Sequence, residues 1–270
     1  MQGRSPGAGA RGNQSTAPRL ATDTTTGWAD RLAQLLLDAR TGADVDPAQF
    51  PDLALDAGYD IQDAAAAIST AAGDPVVGYK IGLTTAAAQR SLGAAEPGWG
   101  RLYESAVVDG PARIELDSRP TSVEVELAVR TGPDGAIAAV APAVEVVSSR
   151  WQQGPPAIGA WAADNGMSTW AVFGEWSEPG AEILSSCRAH ATFDGRTLEG
   201  ISQEATDNLA WLRRELRRRG RELEPNSLVL TGAVIGPVPV PPGGGTLRGQ
   251  IEGLGEVSVE LVAERPASFS

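Results

Sequence analysis

The chain has 270 residues and a formal net charge of −12, from 22 Lys and Arg residues against 34 Asp and Glu residues. A single cysteine, Cys187, excludes a disulfide framework and cysteine-rich zinc sites, and a single histidine, His190, excludes zinc sites built on two or three imidazoles. The negative charge opposes binding to nucleic acid, and no apolar stretch reaches the roughly 18 residues that span a bilayer, so we expect a small-molecule partner.

The N-terminal quarter of the chain is predicted to be an arm followed by helices. Residues 1–26 are rich in Gly, Ser, Thr, Ala and Arg and lack apolar periodicity, which predicts a disordered arm. A helical pattern follows up to a break at Gly42, and its predicted apolar face consists of Trp28, Leu32, Leu35, Leu36 and Ala39. A second helix is predicted to open at Asp60 as its N-cap and to close near Gly73. We therefore predict a helical subdomain over residues 27–74.

From residue 75 onwards, short β-type runs alternate with Gly and Pro. The predicted strands are 76–82, 106–109, 112–116, 122–130, 136–147, 170–174, 189–194, 227–231 and 246–262, the last being a hairpin turned at 253–255. Helical patterns cover 85–92, 157–166 and 203–219. Many short strands predict a β-rich sandwich or barrel-like domain over residues 75–264.

Three glutamates stand on two of these predicted strands. Side chains alternate along a strand, so Glu124 and Glu126 share one face while apolar residues line the other. Glu145 stands alone among apolar neighbours in the next strand, after a turn at 132–135, and burying it is costly without a cation or hydrogen bonds. Three carboxylates with no His or Cys suit Mg²⁺ or Mn²⁺. The spacing fits such a metal site and a solvated sheet face equally well.

Lys80 is the single lysine among 22 basic residues. Arginine stays charged in almost any site, whereas a lysine amine is tuned by burial to exchange protons. The interpretations are catalysis or substrate binding, a structural ion pair, and a codon bias that left one lysine by chance.

An ordered set of motifs resembles one known family. The motifs include GYKIGLT at 78–84, VEVELA at 123–128, PAVE at 142–145 and ADN at 163–165, and their order holds over nearly all of residues 27–262. This set resembles the 2-keto-4-pentenoate hydratase and 4-oxalocrotonate decarboxylase family, within the fumarylacetoacetate-hydrolase-like superfamily. The resemblance implies an α+β fold with a mixed β-sandwich or roll body, and a cytoplasmic homo-oligomer.

The resemblance also implies a lyase, either a hydratase or a decarboxylase, that acts on a 2-oxo or 2-hydroxydienoic acid through a metal-stabilised enolate. It implies that Mg²⁺ or Mn²⁺ is held by Glu124, Glu126 and Glu145. Its catalytic candidates are Lys80 and Asp164, although Asp164 and its neighbour are also candidates for capping a helix. Its candidates for substrate binding are Leu83, Arg101, Asn165, Ser168 and Thr231.

Several positions depart from the family pattern. Acids are common in the family where this chain has Gly98, Ser105 and Ser148, and small residues are usual where it has Met167, Thr169 and Trp170. We expect a site with these replacements to chelate a 2-oxo acid that has a different tail, or to catalyse a different reaction.

Two other functions stay open at the level of sequence. Hydrolysis of a C–C bond requires a Glu–His pair, and His190 lies in a late β-type run, away from the glutamates. A non-catalytic member of the family that binds a 2-oxo acid or assists a partner enzyme is the other alternative.

Overall fold

The computed structural model describes residues 25–49, 53–203 and 205–263. The predicted arm lies outside the described residues except for its last two, which already belong to the first helix. Among the described residues no helix is both long enough and apolar enough to cross a membrane.

Two helices precede the sheets: α1 (Thr25–Asp38) and α2 (Leu55–Ala71), with a 3-10 turn at Pro47–Gln49 between them. The buried face of α1 consists of Ala29, Leu32, Ala33 and Leu36. The prediction that Leu35 belongs to this face is wrong, because each residue turns a helix by about 100° and Leu35 is 45% exposed.

The predicted N-cap of α2 is also wrong. The helix begins after Ala54, which makes no side-chain capping bond, and Asp60 lies inside it. The carboxylate of Asp60 binds the guanidinium of Arg219 at 2.6 Å, so its partner is a side chain from a distant turn and not a backbone N–H group of α2. Asp56 provides the negative charge that favours the first turn of α2.

The strands occur largely where the sequence predicts them. They are β1 (Val76–Gly82), β2 (Gly98–Tyr103), β3 (Val107–Asp109), β4 (Ala112–Leu116), β5 (Thr121–Thr131), β6 (Ile137–Ser148), β7 (Ser168–Phe173), β8 (Ser186–Phe193), β9 (Arg196–Gln203), β10 (Leu228–Pro239), β11 (Gly245–Ile251) and β12 (Gly255–Ala263). The remaining helices are α3 (Ala86–Ser91), α4 (Ile158–Ala163), α5 (Ala181–Ser185) and α6 (Ala205–Arg218), with 3-10 turns at Glu104–Ala106 and Asn165–Met167. The sequence did not predict β2, β9 or α5. Every residue of β2 is buried, so its sequence lacks the polar and apolar alternation of a half-exposed strand.

Two sheets form the body of the described part of the chain. The larger has the order β2-β1-β10-β5-β6-β7-β3, and the smaller has the order β4-β12-β11-β8-β9. Val123, Val125, Leu127 and Val129 of β5 belong to the main apolar core, in which Val125 packs against Gly249 of the smaller sheet. The alternate residues of β5 are Glu124, Glu126 and Ala128, so the larger sheet carries its carboxylates on the face away from that core.

The helical part contacts the β-rich part directly. A Cβ atom on Gly58 of α2 would lie 2.1 Å from the carbonyl oxygen of Gly159 in α4, so only glycine allows the two helices to approach this closely. The predicted boundary between residues 74 and 75 falls between α2 and β1. The division into separate domains stays a prediction.

Candidate metal centre

Glu124, Glu126 and Glu145 meet on one face of the larger sheet. Glu124 and Glu145 are directly opposite each other on β5 and β6, and Glu126 follows two residues further along β5. One carboxylate oxygen from each lies within 4.8 Å of those of the other two. Glu126 and Glu145 are both 0% exposed, and Glu124 is partly buried. This burial is incompatible with a solvated sheet face.

Two of the glutamates use one oxygen each in protein contacts and leave the other unpaired. Glu126 Oε2 accepts a hydrogen bond from the backbone N–H of Gly232 at 2.9 Å, and Glu145 Oε2 accepts one from Lys80 Nζ at 3.3 Å. The second oxygens, Glu126 Oε1 and Glu145 Oε1, are buried and have no hydrogen-bond partner. Burying an unsatisfied polar atom costs about 1–3 kcal/mol, and more for a charged one. A hard divalent cation bound by these oxygens offsets that cost, so the donor set fits Mg²⁺, Mn²⁺ or Ca²⁺.

Burial and the repulsion between neighbouring carboxylates raise the pKa of Glu124 and of Glu126. Burial, and then the charge of Glu145, raise the pKa of Glu124 to about 7, against a smaller opposing effect of Lys80. Burial raises the pKa of Glu126 well above its ordinary value, and the charges of Glu145 and Glu124 raise it further. The N–H of Gly232 and the ammonium of Lys80 act in the opposite direction at Glu126. Protons and a cation therefore compete for the same oxygens.

Strand β10 is irregular where it passes the glutamates. Its pairing with β5 shifts register three times between Leu230 and Val238. Gly232 has a φ of +111° and Gly236 a φ of +122°, values in the region that favours glycine. A Cβ atom on Gly236 would lie 3.1 Å from the Cα atom of Glu124. These bends allow the Gly232 N–H to bind the side chain of Glu126 instead of a ladder partner.

Lys80 is 2% exposed and lies between Glu145 and an indole ring. Its Nζ atom is 5.1 Å from the ring centroid of Trp161. Three glycines make space for this ring. A Cβ atom added to Gly82 would lie 2.9 Å from the nearest ring atom of Trp161, one added to Gly98 would lie 2.3 Å from it, and one added to Gly166 would lie 2.9 Å from it. The indole thus fills the space beside position 98. Sequence reasoning missed Trp161, and its signal was the set of glycines.

Asp164 and Asn165 form hydrogen bonds with other segments of the chain. Asp164 Oδ2 accepts hydrogen bonds from Ser149 Oγ at 3.0 Å and from the backbone N–H of Arg150 at 2.9 Å, and its carboxylate forms an ion pair with the Arg150 guanidinium. Asn165 Oδ1 accepts from the N–H of Arg101 at 2.7 Å, and its Nδ2 donates to the carbonyl of Arg101 at 2.8 Å. Among the described residues Asp164 is not part of the carboxylate cluster. Its catalytic role stays a prediction.

The other predicted substrate-binding residues lie in two different places. Arg101, Asn165 and Ser168 line a cavity of about 310 Å³, whereas Leu83 and Thr231 do not. Leu83 follows β1 and has a φ of +56°, and Thr231 Oγ1 donates to the carbonyl of Leu127 at 2.8 Å. Their binding of a substrate stays a prediction.

His190 lies on the other sheet. It stands on β8 of the smaller sheet, and its Nε2 atom is 2.7 Å from Glu252. Its second acidic neighbour is Glu199, on β9. The structure therefore pairs His190 with glutamates outside the cluster, which gives the hydrolytic alternative no support.

Sequence comparison identifies the family, although no family model matches the chain. A 2-keto-4-pentenoate hydratase from Paraburkholderia phymatum is 33% identical over 218 residues, which are 74% of this chain and 83% of that protein. The chain belongs to the 2-keto-4-pentenoate hydratase and 4-oxalocrotonate decarboxylase family. A 4-oxalocrotonate decarboxylase from a Pseudomonas species is 30% identical over 206 residues, 70% of this chain and 80% of that protein. Because these relatives are lyases, the predicted family and enzyme class are confirmed.

Structural comparison gives the same result for the fold. The 4-oxalocrotonate decarboxylase of Pseudomonas putida G7 in complex with calcium and acetate has a TM-score of 0.78 at 25% identity, covering 89% of this chain and 99% of that one. Its complex with magnesium and adipate has a TM-score of 0.81 at 24% identity, with the same coverage. The predicted α+β, fumarylacetoacetate-hydrolase-like fold is confirmed.

Proposed function

We propose that this chain is a divalent-metal-dependent lyase that acts on a 2-oxo or 2-hydroxydienoic acid, either by adding water or by removing CO₂. The observation that carries the proposal is the meeting of three glutamate oxygens within 4.8 Å, beside the one lysine of the chain. Relatives named hydratase and decarboxylase support the reaction class. The calcium and acetate bound by the decarboxylase of Pseudomonas putida G7 support a metal and a carboxylate ligand.

Glu124, Glu126 and Glu145 would hold Mg²⁺ or Mn²⁺ with one oxygen each. The N–H of Gly232 binds Oε2 of Glu126 and the ammonium of Lys80 binds Oε2 of Glu145, and this leaves Oε1 of both residues for the ion. When bound, the ion supplies Lewis-acid polarisation of the carboxylate and 2-oxo oxygens of the substrate. Such stabilisation is strong in a site shielded from water, and Glu126 and Glu145 are both fully buried.

Lys80 would either transfer a proton or bind the substrate carboxylate. Its Nζ atom is buried, lies 3.3 Å from Glu145, and is covered on another side by the Trp161 ring. An ammonium in this position donates a proton to a reacting carbon or oxygen nearby, or forms an ion pair with an anionic substrate. The indole keeps bulk water away from that amine.

The proposal is tested with Mg²⁺ and two substrates, a 2-hydroxydienoate and a 2-oxo-3-enedioate, by following the loss of ultraviolet absorbance. We expect turnover of at least one substrate and its loss in the presence of a chelator. Glu126→Gln removes a ligand charge without changing the shape, so we expect roughly a 100-fold or larger fall in kcat/KM. Glu260→Gln, at an exposed position of β12, is the matched control and should retain activity.

Two results would contradict this function. Turnover that survives both the chelator and Glu126→Gln would exclude the metal site. Measurable Mg²⁺ binding without turnover of either substrate, together with co-purification of a second protein, would favour the non-catalytic alternative. The homo-oligomer and the cytoplasmic location stay predictions, and light scattering tests the first.

A further inference from the structure

Asn208 of α6 contacts the strand that carries the Gly232 N–H. The buried stripe of α6 consists of Ala205, Leu209, Leu212 and Leu216. Asn208 stands three residues after Ala205 and four before Leu212, so it lies at the edge of this stripe, where it is partly buried. Its Nδ2 atom donates a hydrogen bond to the backbone carbonyl of Thr231 at 2.8 Å. Asparagine is a poorer helix former than leucine, so the helix alone does not account for this residue.

The contacts of Asn208 and Glu126 fall on the two ends of one peptide group. The carbonyl of Thr231 and the N–H of Gly232 belong to the same planar unit and point in opposite directions. Asn208 binds the carbonyl at 2.8 Å, and Glu126 Oε2 accepts a hydrogen bond from the N–H at 2.9 Å. A chain of hydrogen bonds therefore runs from α6 through β10 to one glutamate of the cluster.

A β-bulge places this peptide group beside the glutamate. Leu230 pairs with Ala128 and Ala233 pairs with Glu126, so three steps along β10 correspond to two steps along β5. The extra residue falls at positions 231–232. A bulge bends its strand and disrupts the ladder locally, so backbone groups in it can bind side chains.

The glycine leaves the orientation of this peptide group open. Rotation of a peptide plane changes mainly the ψ angle before it and the φ angle after it, and glycine tolerates both signs of φ. Thr231 Oγ1 donates to a carbonyl of β5 at 2.8 Å, and a Cβ atom on Gly232 would lie 2.6 Å from Thr84 Cγ2. These contacts hold the two residues in place. The bond from Asn208 to the carbonyl selects the orientation that directs the N–H at Glu126.

A fixed Oε2 atom also fixes the direction of Oε1. Glu126 is 0% exposed, and its Oε1 atom is buried without a hydrogen-bond partner. Both oxygens belong to one planar carboxylate, so the bond from Gly232 to Oε2 determines where the free oxygen points. Hydrogen bonds that orient metal ligands in this way typically change the affinity for the metal by about 10–100-fold.

We propose that Asn208 is a positioning residue of the metal centre, which acts on Glu126 through the peptide group between Thr231 and Gly232. Without the side-chain amide, the peptide plane rotates more freely and the carboxylate loses part of the bond that orients it. This inference rests on the metal site of the proposed function.

Calorimetric titration of the metal-free protein with Mg²⁺ at pH 8 tests the inference. Asn208→Leu has nearly the same shape, removes the donor and favours the helix. We expect its affinity for Mg²⁺ to fall about tenfold, the lower end of the range for groups that orient a ligand. Thr206→Leu, at an exposed position of the same helix, is the matched control and should bind Mg²⁺ as the wild-type protein does.

Amide hydrogen exchange of the metal-free protein tests the route through the peptide group. In Asn208→Leu the Gly232 amide should exchange up to about tenfold faster, as the loss of one hydrogen bond predicts. The amide of Val229, a fully buried residue of the same strand, should keep its wild-type rate. A residue that only stabilises the fold would change both rates together.

The outcomes separate the two proposals. Failure of the wild-type protein to bind Mg²⁺ overturns the proposed function, and this inference with it. Wild-type affinity in folded Asn208→Leu overturns this inference alone, as does an equal loss of affinity in Thr206→Leu. Unchanged exchange at Gly232 also overturns it. If Asn208→Leu does not fold, Asn208→Ala removes the same donor with the best helix-forming residue, and the same results are expected.

Discussion

Metal-free protein should lose stability as the pH rises, because the pKa values of Glu124 and Glu126 are raised in its folded state. Burial and the charge of Glu145 raise the pKa of Glu124 from 4.5 to about 7. Between these two values the folded state binds more protons than the unfolded chain, so the free energy of unfolding falls as the pH increases. This contribution is fully present below about pH 4.5 and is lost as the pH rises through about 7. The raised pKa of Glu126 extends the loss to higher pH.

The structure sets the size of the effect. At about 1.4 kcal/mol for each pH unit, the difference between 4.5 and about 7 at Glu124 corresponds to up to about 3 kcal/mol. Mg²⁺ should act in the opposite direction, because carboxylates bind it in their deprotonated form. A concentration of Mg²⁺ about 100 times its Kd adds about 2.7 kcal/mol, and the addition grows with pH.

Urea denaturation from pH 5 to pH 8, in a chelator and in Mg²⁺, measures both effects. Glu124→Gln replaces the titrating group by a neutral one of the same shape, so its metal-free stability should fall less with pH, by up to about 3 kcal/mol over this range. Glu260→Gln, an exposed acid on β12, serves as the control and should follow the wild-type protein. Identical pH profiles for wild type and Glu124→Gln, or no stabilisation by Mg²⁺ at pH 8, would refute the reasoning.

Three further variants probe the surroundings of the site. Gly98→Ala should cost about 1–3 kcal/mol, because its Cβ atom would lie 2.3 Å from the Trp161 ring, and a double-mutant cycle with Trp161→Leu in urea should show that the smaller side chain relieves the cost. Additive costs would mean that the ring does not occupy that space. Asp164→Asn should destabilise the protein by about 3–5 kcal/mol, since it leaves the buried guanidinium of Arg150 without a counter-charge. A thermal and urea stability equal to wild type would contradict the assigned ion pair. His190→Ala should leave turnover unchanged in the absorbance assay, because His190 lies on the smaller sheet, and a large loss of activity would revive hydrolysis by a Glu–His pair.

The amino-acid sequence alone determined the local features of the site. Alternation along β5 predicted that Glu124 and Glu126 share a face, because successive side chains of a strand point in opposite directions. The isolated acid Glu145 in an apolar run predicted a partner for its charge, and composition singled out Lys80. The same reasoning failed at β2, where burial on both sides removes the alternation, and at Asp60, where a distant arginine replaces the capping interaction.

Tertiary structure alone decided which groups surround the glutamates. Only the bends of β10 bring the N–H of Gly232 to Glu126, and only the packing of α4 against β1 and β2 places the Trp161 ring over Lys80. Arg40 and Arg150 line the same cavity, although 110 residues separate the two in the chain. Periodicity reports the face on which a side chain lies, whereas contacts between distant segments depend on how the elements pack against one another, which no local pattern contains.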